Sequence, residues 1–310
     1  MIEPTLNYVT CPGPAARRAD EPERSEHRMA YWEWNATGNP AHPHVIVCVH
    51  GLTRQGRDFD VLARALAPHA RVICPDVAGR GRSEWLADPQ HYAVPQYALD
   101  MLMLLQHLQA QAPLQTLDWI GTSMGGLIGM ALAGQAQLPL PVAIRRLVLN
   151  DVGPTLEWAA LQRIGSYVGQ PVCFDSVEQA AATLRVISAG FGPHTDAQWR
   201  ALTEPMLTPL PGGGLGLHYD PAIGVALRGM TREEAEQGQT LMWQLYDQIT
   251  AQTLLLRGEQ SDLLTAATAQ AMQQRGPRAQ CVVLANVGHA PTLVSADQVA
   301  VVRDFVLAQE

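Results

Sequence analysis

Apolar residues along the chain form short continuous runs that alternate with longer amphipathic segments. The runs lie at 45–49, 71–75, 117–121, 145–150, 252–258 and 280–284. A short apolar run without alternation is typical of a strand covered on both faces, as in a parallel sheet. Segments 56–69, 95–111, 265–275 and 295–308 have helical periodicity. The pattern therefore predicts an α/β fold with a mostly parallel, doubly wound sheet.

Two regions depart from this alternation. Residues 1–26 are rich in Pro, Arg and Glu and predict a partly ordered N-terminal lead-in, after which 27–34 alternates like an edge strand. In residues 153–249 strand-like and helix-like segments no longer alternate, and the pattern indicates helical patches with loops. It predicts a helical cap insertion. The core of the fold is then expected in residues 27–152 and 250–310.

The composition disfavours several classes of binding partner and of chemistry. The formal charge is −8, no basic patch is evident, and the chain contains no lysine, so nucleic acid, anionic membrane surfaces and lysine-dependent chemistry are disfavoured. Five cysteines lack metal-ligand spacing, and no long apolar span is present. We expect a cytoplasmic protein that uses no metal or cofactor; the oligomeric state is left open.

The densest chemical signal is Gly121-Thr122-Ser123-Met124-Gly125, which lies between an apolar run and a small-residue helix pattern. A G-x-S-x-G sequence at a strand-to-helix turn is the nucleophile-elbow pattern, in which a serine hydroxyl is held clear of the chain. Such a turn can form only if the neighbouring residues are glycine or have very small side chains. Ser123 is therefore the candidate nucleophile.

A second piece, His50-Gly51-Leu52, follows the run at 45–49 and resembles the oxyanion loop of α/β-hydrolases. Acyl transfer requires two N–H groups directed at one developing negative oxygen. We assign them to the backbone amides of Leu52 and Met124. His50 is expected to brace its own loop rather than to act as a base. Asp76, in a D-x-x-G-x-G-x-S turn, is expected to fix that turn.

The third and fourth pieces, Arg257-Gly258-Glu259-Gln260-Ser261-Asp262 and Val287-Gly288-His289-Ala290, resemble the acid and histidine loops of the same superfamily. The order Ser123, Asp262, His289 is the chain order of α/β-hydrolases. The resemblance covers 27–152 and 250–310 and implies the α/β-hydrolase fold with a Ser-His-Asp triad. We favour Asp262 as the acid; Asp151, at the end of another strand, is the alternative.

These residues predict a serine hydrolase that cleaves a carboxylic ester of a small or medium, largely apolar acyl substrate through an acyl-enzyme. Carbon–carbon bond hydrolysis, lactone opening or acyl transfer could use the same scaffold, and a ligand-binding protein with little turnover is a further alternative. A serine at the elbow disfavours dehalogenase and epoxide hydrolase chemistry, which needs a carboxylate there. Arg185, Arg228, His218 and Tyr219 could bind a polar substrate group, although a structural role is favoured for each.

Overall fold

The computed structural model describes residues 2–17 and 25–309, so part of the predicted lead-in, 18–24, lies outside the described residues. Ten strands and ten α-helices are assigned in this part of the chain. The strands are β1 (Thr5–Pro12), β2 (Glu26–Trp34), β3 (His44–Val49), β4 (Arg71–Pro75), β5 (Thr116–Thr122), β6 (Ile144–Asn150), β7 (Leu207–Pro209), β8 (Leu215–Leu217), β9 (Gln252–Gly258) and β10 (Gln280–Leu284).

The helices are α1 (Asp60–Leu66), α2 (Val94–Gln111), α3 (Met124–Ala133), α4 (Trp158–Tyr167), α5 (Val177–Ile187), α6 (Asp196–Thr203), α7 (Ile223–Gly229), α8 (Arg232–Gln248), α9 (Ala266–Met272) and α10 (Ala296–Val306). Short 3₁₀ turns, among them Gly56–Phe59 before α1, complete the assignment.

Eight strands form one sheet in the order β1-β2-β4-β3-β5-β6-β9-β10, parallel from β4 to β10 and antiparallel at β1 and β2. The prediction of a mostly parallel α/β sheet is confirmed. All six predicted buried strands are present, with bounds that differ by at most one residue.

The core lies on both faces of the sheet. Along β3, Val45, Val47 and Val49 belong to one buried cluster, which also contains residues of α2 and α3. The intervening Ile46 and Cys48 belong to a second cluster with residues of α1 and α10. Successive side chains of a strand point to opposite faces, so a strand covered on both sides must be apolar throughout. That requirement explains the continuous apolar runs.

The N-terminal region differs from its prediction. Thr5–Pro12 is a strand that pairs antiparallel with β2, so β2 is an interior strand and β1 forms the edge. The expectation of an edge strand at 27–34 is therefore wrong. The burial pattern of β1 is mostly exposed and intermediate, with Val9 and Cys11 facing inward. An edge strand with few inward apolar residues leaves a weak pattern in the sequence.

Between β6 and β9 the chain contributes no strand to the large sheet. It forms α4 to α8 and the two-stranded hairpin of β7 and β8. Two pairs of its aromatic residues contact each other: Phe191 stacks on Trp199 at 6.1 Å between ring centroids, and Trp243 meets Tyr246 edge-on at 5.6 Å. Tyr246 also belongs to the buried cluster on one face of the large sheet. No helix in the described ranges is both long and apolar enough to cross a membrane.

Candidate active site

Ser123 lies between the end of β5 and the start of α3, at the carboxyl edge of the sheet. Its backbone has φ 51° and ψ −115°, a conformation that costs free energy in a residue with a side chain. Its N–H donates to the Asn150 carbonyl at 3.0 Å, which ties the turn to β6. The strained serine turn predicted from the sequence is present.

The glycines around Ser123 allow the elbow to form. A Cβ atom on Gly121 would overlap the backbone of Gly125, and one on Gly125 would overlap the Val49 carbonyl of β3. These neighbours are backbone atoms, which cannot move aside as the end of a flexible side chain can. The spacing G-x-S-x-G is therefore a packing requirement of this turn.

His289 bridges the serine and an acid. Its Nε2 lies 2.9 Å from Ser123 Oγ, and its Nδ1 lies 2.8 Å from Oδ2 of Asp151. A carboxylate can only accept, so Nδ1 carries the proton and donates to Asp151, while Nε2 accepts from the serine hydroxyl. Asp151 is fully buried and the imidazole is mostly buried. This arrangement can deprotonate Ser123.

The Asp151 carboxylate has two further donors. Gly258 N–H donates to Oδ1 at 2.8 Å, and Ser261 Oγ donates to Oδ2 at 2.6 Å. Gly258 is the last residue of β9, which lies beside β6 in the sheet, and Ser261 lies in the loop that follows β9. Sequence reasoning did not identify Ser261 as part of the site. The sequence feature that could have identified Ser261 is its position next to Asp262, in the loop expected to supply the acid.

Asp262 does not lie at the imidazole, and that expectation is wrong. Its side chain is about half exposed and pairs with Nη2 of Arg163 from α4 at 2.5 Å. The chain turns at Ser261, whose N–H donates to the Gly258 carbonyl, and this turn directs Ser261 toward Asp151. Ser261 therefore points toward Asp151, and Asp262, the next residue, faces solvent.

The two residues assigned to the oxyanion hole belong to two segments that meet at Ser123. Leu52 follows Gly51, on which a Cβ atom would lie 3.7 Å from Cβ of Ser123. Met124 is the first residue of α3, where backbone N–H groups have no partner within the helix. The positive end of the α3 dipole is also directed toward the serine. The geometry is compatible with two amide donors at this point.

His50 braces its loop, as predicted. Its ring donates from Nδ1 to the Gly51 carbonyl at 2.7 Å and accepts at Nε2 from the Val77 N–H at 3.0 Å. Burial lowers the pKa of His50 to about 3. The imidazole is therefore neutral near pH 7, with both nitrogens occupied. It has no free nitrogen with which to act as a base.

Asp76 fixes its turn, also as predicted. Its fully buried carboxylate accepts from the backbone N–H groups of Gly56 and Arg82 at 2.7 and 2.8 Å, and from Nε1 of Trp32 at 3.3 Å. Burial raises its pKa to about 6 in spite of these bonds. It joins the loop after β4 to the loop after β3 and does not contact the triad residues through any of these bonds.

The segment between β6 and β9 contacts the loops of the site. Gly288, next to His289, donates its N–H to the Gly190 carbonyl at 2.6 Å, and His194 accepts at Nε2 from the Thr292 hydroxyl at 2.7 Å. Arg54, just after the oxyanion loop, donates from Nη2 to the Leu202 carbonyl at 3.0 Å. These contacts hold α6 and the connection before it against the histidine loop and the oxyanion loop.

The polar residues considered for substrate binding in this segment have structural partners. Arg185 pairs with Asp196 at 2.9 Å, and Arg228 donates to the Val168 carbonyl at 2.7 Å. Tyr219 Oη accepts from the Gly169 N–H at 3.1 Å. Burial lowers the pKa of His218. The structural roles favoured for Arg185, Arg228 and Tyr219 agree with these contacts.

One group in the described part of the chain brings three metal-ligand atoms within 4.8 Å of one another: Cys11, His27 and Asp100. Cys11 and His27 lie in the N-terminal hairpin of β1 and β2, Asp100 lies in α2, and the group includes none of Ser123, Asp151 and His289. The imidazole nitrogens of His27 already contact the Pro14 carbonyl and the Asp100 carboxylate, both at 3.1 Å. The group is therefore a hydrogen-bonded pair beside a thiol.

Comparison with known proteins gives the family. The sequence model of the alpha/beta hydrolase family matches residues 46–302. The chain belongs to the alpha/beta hydrolase family. Its sequence is 48% identical, over 97% of both chains, to the 3-hydroxybutyrate-oligomer hydrolase of Cupriavidus necator. It is 27% identical, over 84% of its length and 93% of the relative, to the pimeloyl-[acyl-carrier protein] methyl ester esterase of Xanthomonas axonopodis pv. citri.

The fold of this hydrolase is also that of a solved alpha/beta hydrolase from Novosphingobium aromaticivorans. The TM-score is 0.78 at 34% identity, with 97% of each chain covered. Both sequence relatives are named for the hydrolysis of an oligomer or an ester. The predicted hydrolase fold and the predicted class of enzyme, a carboxylic-ester hydrolase, are confirmed.

Proposed function

We propose that this protein hydrolyses short linear oligoesters of 3-hydroxy acids such as 3-hydroxybutyrate. The observation that carries the substrate class is the 48% identity, along nearly the whole of both chains, to a 3-hydroxybutyrate-oligomer hydrolase. Such a substrate is a carboxylic ester with a small acyl unit, which agrees with the expectation from the sequence. The hydrogen-bonded Ser123, His289 and Asp151 support the mechanism.

In the proposed mechanism Ser123 Oγ attacks the ester carbonyl carbon while its proton passes to Nε2 of His289. The carbonyl oxygen becomes negative and accepts hydrogen bonds from the Leu52 and Met124 amides. The C–O bond of the ester then breaks, and Nε2–H protonates the departing alkoxide oxygen, which leaves as a hydroxyl. Water attacks the acyl-enzyme by the same route, releasing the hydroxy acid and restoring Ser123.

Asp151 is proposed as the triad acid in place of Asp262. It holds the Nδ1–H tautomer of His289 and stabilises the imidazolium that forms when Nε2 is protonated. Gly258 and Ser261 hold the carboxylate in position through the two remaining bonds. Residues 153–249 are proposed to act as a cap, supported by their contacts with the histidine and oxyanion loops.

A cytoplasmic location remains part of the proposal. It is supported by the cysteines, all five of which are free.

The first test is hydrolysis of the linear dimer and trimer of 3-hydroxybutyrate, with release of the monomer followed by liquid chromatography. Wild-type protein and S123A are compared, and p-nitrophenyl butyrate is assayed in parallel. We expect monomer release by the wild type only, with S123A folded by circular dichroism. Cleavage of the nitrophenyl ester without cleavage of the oligomers would reject the substrate class, and activity in S123A would reject the mechanism.

A further inference from the structure

Arg80, in the turn after β4, extends a fully buried side chain toward the active site. Its Nε donates to the Leu52 carbonyl at 2.8 Å, and its Nη2 lies 3.6 Å from Sδ of Met124. Leu52 and Met124 are the two residues whose amides are assigned to the oxyanion hole. One guanidinium from a different loop therefore contacts both of these residues, at the Leu52 carbonyl and at the Met124 side chain.

The other partners of Arg80 are neutral. Nη1 donates to the Ala78 carbonyl at 2.7 Å and to the Tyr97 hydroxyl at 2.9 Å, and the guanidinium lies 4.9 and 5.7 Å from the ring centres of Tyr97 and Tyr92. Across the described residues, no carboxylate forms an ion pair with Arg80. The buried Asp220, which accepts from Tyr92, is paired instead with Arg17 at 3.0 Å.

A buried cation without a counter-ion is expensive, on the order of several kcal/mol. The hydrogen bonds and aromatic rings offset part of that cost, but they do not neutralise the charge. Nη2 donates to the Met124 sulfur, and a thioether is a weak acceptor. The charge of Arg80 is thus left available to a negative group that forms nearby during the reaction.

The field of this cation reaches the oxyanion loop. Burial is the main cause of the low pKa of His50, and the positive charges of Arg80 and Arg54 lower it further. His50 is neutral in this loop, while Arg54 forms an ion pair with Asp58 through Nε and Nη2. Among the described residues, Arg80 is therefore the cation at this loop that has no carboxylate within ion-pair distance.

We infer that Arg80 is a positioning residue that holds Leu52 in place and stabilises, by its charge, the oxyanion held by the Leu52 and Met124 amides. This inference rests on the proposed function. Arg80 keeps its protons throughout: the negative oxygen forms when Ser123 bonds to the carbonyl carbon and disappears when the leaving group departs. Its contribution therefore belongs to the tetrahedral intermediate and not to bound substrate.

The test compares R80M and R80K with R146M in the hydrolysis of p-nitrophenyl butyrate. Arg146 is a matched control, because it is also buried, donates to a backbone carbonyl (Val306, 2.8 Å) and lies against an aromatic ring, Phe305. It stands at the opposite end of β6 from Asp151. Thermal unfolding of each variant separates lost stability from lost catalysis, and kinetics are measured well below the lowest Tm.

For R80M we expect kcat to fall about 10- to 100-fold with KM within about 3-fold, since a direct oxyanion donor contributes about 100- to 1,000-fold. Butylboronic acid, which forms an anionic tetrahedral adduct with a reactive serine, should lose affinity by a similar factor. R80K keeps the charge but not the planar fork and should lose about 3- to 10-fold. R146M should lose Tm while keeping kcat and boronate affinity.

The inference is overturned if R80M loses Tm but keeps kcat, or if its kcat and boronate affinity change no more than those of R146M. If R80M does not fold, R80K provides the test. A kcat and a boronate affinity equal to those of the wild type in R80K would also contradict the inference. Failure of the proposed function appears differently: the wild type itself would be inactive toward esters, or S123A would remain active.

Discussion

Asp151 is the first residue after β6, and its backbone is in the left-handed region at φ 55°. Aspartate tolerates this region better than most residues with side chains. Its N–H still donates to the Leu256 carbonyl of β9 at 2.8 Å, so the residue is held by the sheet itself. A side chain that leaves the sheet at this turn reaches Nδ1 of His289 directly. The loop after β9 needs only to supply Ser261.

Exchange of the two candidate acids by amides tests this arrangement. D151N should lower kcat by about four orders of magnitude, because an amide at this position favours the wrong tautomer of His289. D262N should change kcat by less than about 3-fold, because its half-exposed ion pair with Arg163 contributes little to stability and does not contact the imidazole. The measurement is steady-state hydrolysis of p-nitrophenyl butyrate.

The opposite ranking of these two variants would contradict the assignment of Asp151. Equal and large losses in both would mean that the end of β9 and the loop after it contribute more to the site than the contacts of Gly258 and Ser261. Circular dichroism and Tm of both variants serve as the control for folding.

At the scale of elements, the elbow depends on how closely α3 approaches the sheet. Trp119 of β5 donates from Nε1 to the Gly125 carbonyl at 3.0 Å, and a Cβ atom on Gly129 would overlap the same indole. A Cβ on Gly126 would overlap Val152 after β6. The first turns of α3 are therefore rich in glycine despite its poor helix propensity, because only glycine permits this distance.

Gly125→Ala should unfold the elbow or displace it. The added methyl would overlap the Val49 carbonyl, a backbone atom of a central strand, so we expect a loss of at least about 2 kcal/mol in the free energy of unfolding and loss of most activity. The control is Gly238→Ala in α8, where a Cβ meets nothing within 4 Å. That exchange should stabilise by about 0.5–1 kcal/mol through helix propensity. Urea unfolding measures both, and a well-folded, active G125A would contradict the packing argument.

At the scale of the whole molecule, a buried pair joins the N-terminal hairpin to the rest of the fold. His27 of β2 contacts Asp100 of α2 through Nε2, and both side chains are essentially unexposed. Gln96 donates to the other carboxylate oxygen at 2.8 Å. The imidazole contacts only acceptors, a carbonyl and a carboxylate, so both nitrogens donate when it is protonated. Burial opposes that protonation, but Asp100 outweighs it and raises the pKa of His27.

A raised pKa in the folded state has a definite consequence for stability. Unfolded histidine titrates near pH 6.5, so the folded protein binds the extra proton at pH values just above it. The stabilisation is complete below about pH 6.5 and is lost as pH rises through the folded pKa. We expect the difference in unfolding free energy between wild type and H27Q to be largest near pH 6 and to shrink toward alkaline pH.

Urea unfolding of wild type and H27Q across pH 5 to 9 measures this difference, and subtracting the two curves cancels groups that titrate in both proteins. D100N provides a second comparison, because it removes the charge that raises the pKa while keeping the shape of the side chain. A difference that stays constant with pH would show that His27 is neutral throughout.

The sequence by itself determined the α/β sheet, the strand-to-helix turn at Ser123 and the class of enzyme, and it indicated the loop that brings His289 to that turn. Strands buried on both faces must be apolar throughout, and the elbow must contain glycines where backbone meets backbone, so these features appear as local patterns. The outcomes for His50 and Asp76 were also predictable, since each sits in its own turn and bonds to neighbouring backbone.

Only the tertiary structure decided which aspartate reaches His289, that β1 adds an edge strand, and that Arg80 contacts Leu52 and Met124. Asp151 and Asp262 both follow strands that end at the same edge of the sheet, and local sequence does not specify which side chain points inward. That choice depends on the turn at Ser261 and on the order of β6 and β9 in the sheet. Contacts between residues far apart in the chain depend on the order of strands in the sheet, and short stretches of sequence do not specify that order.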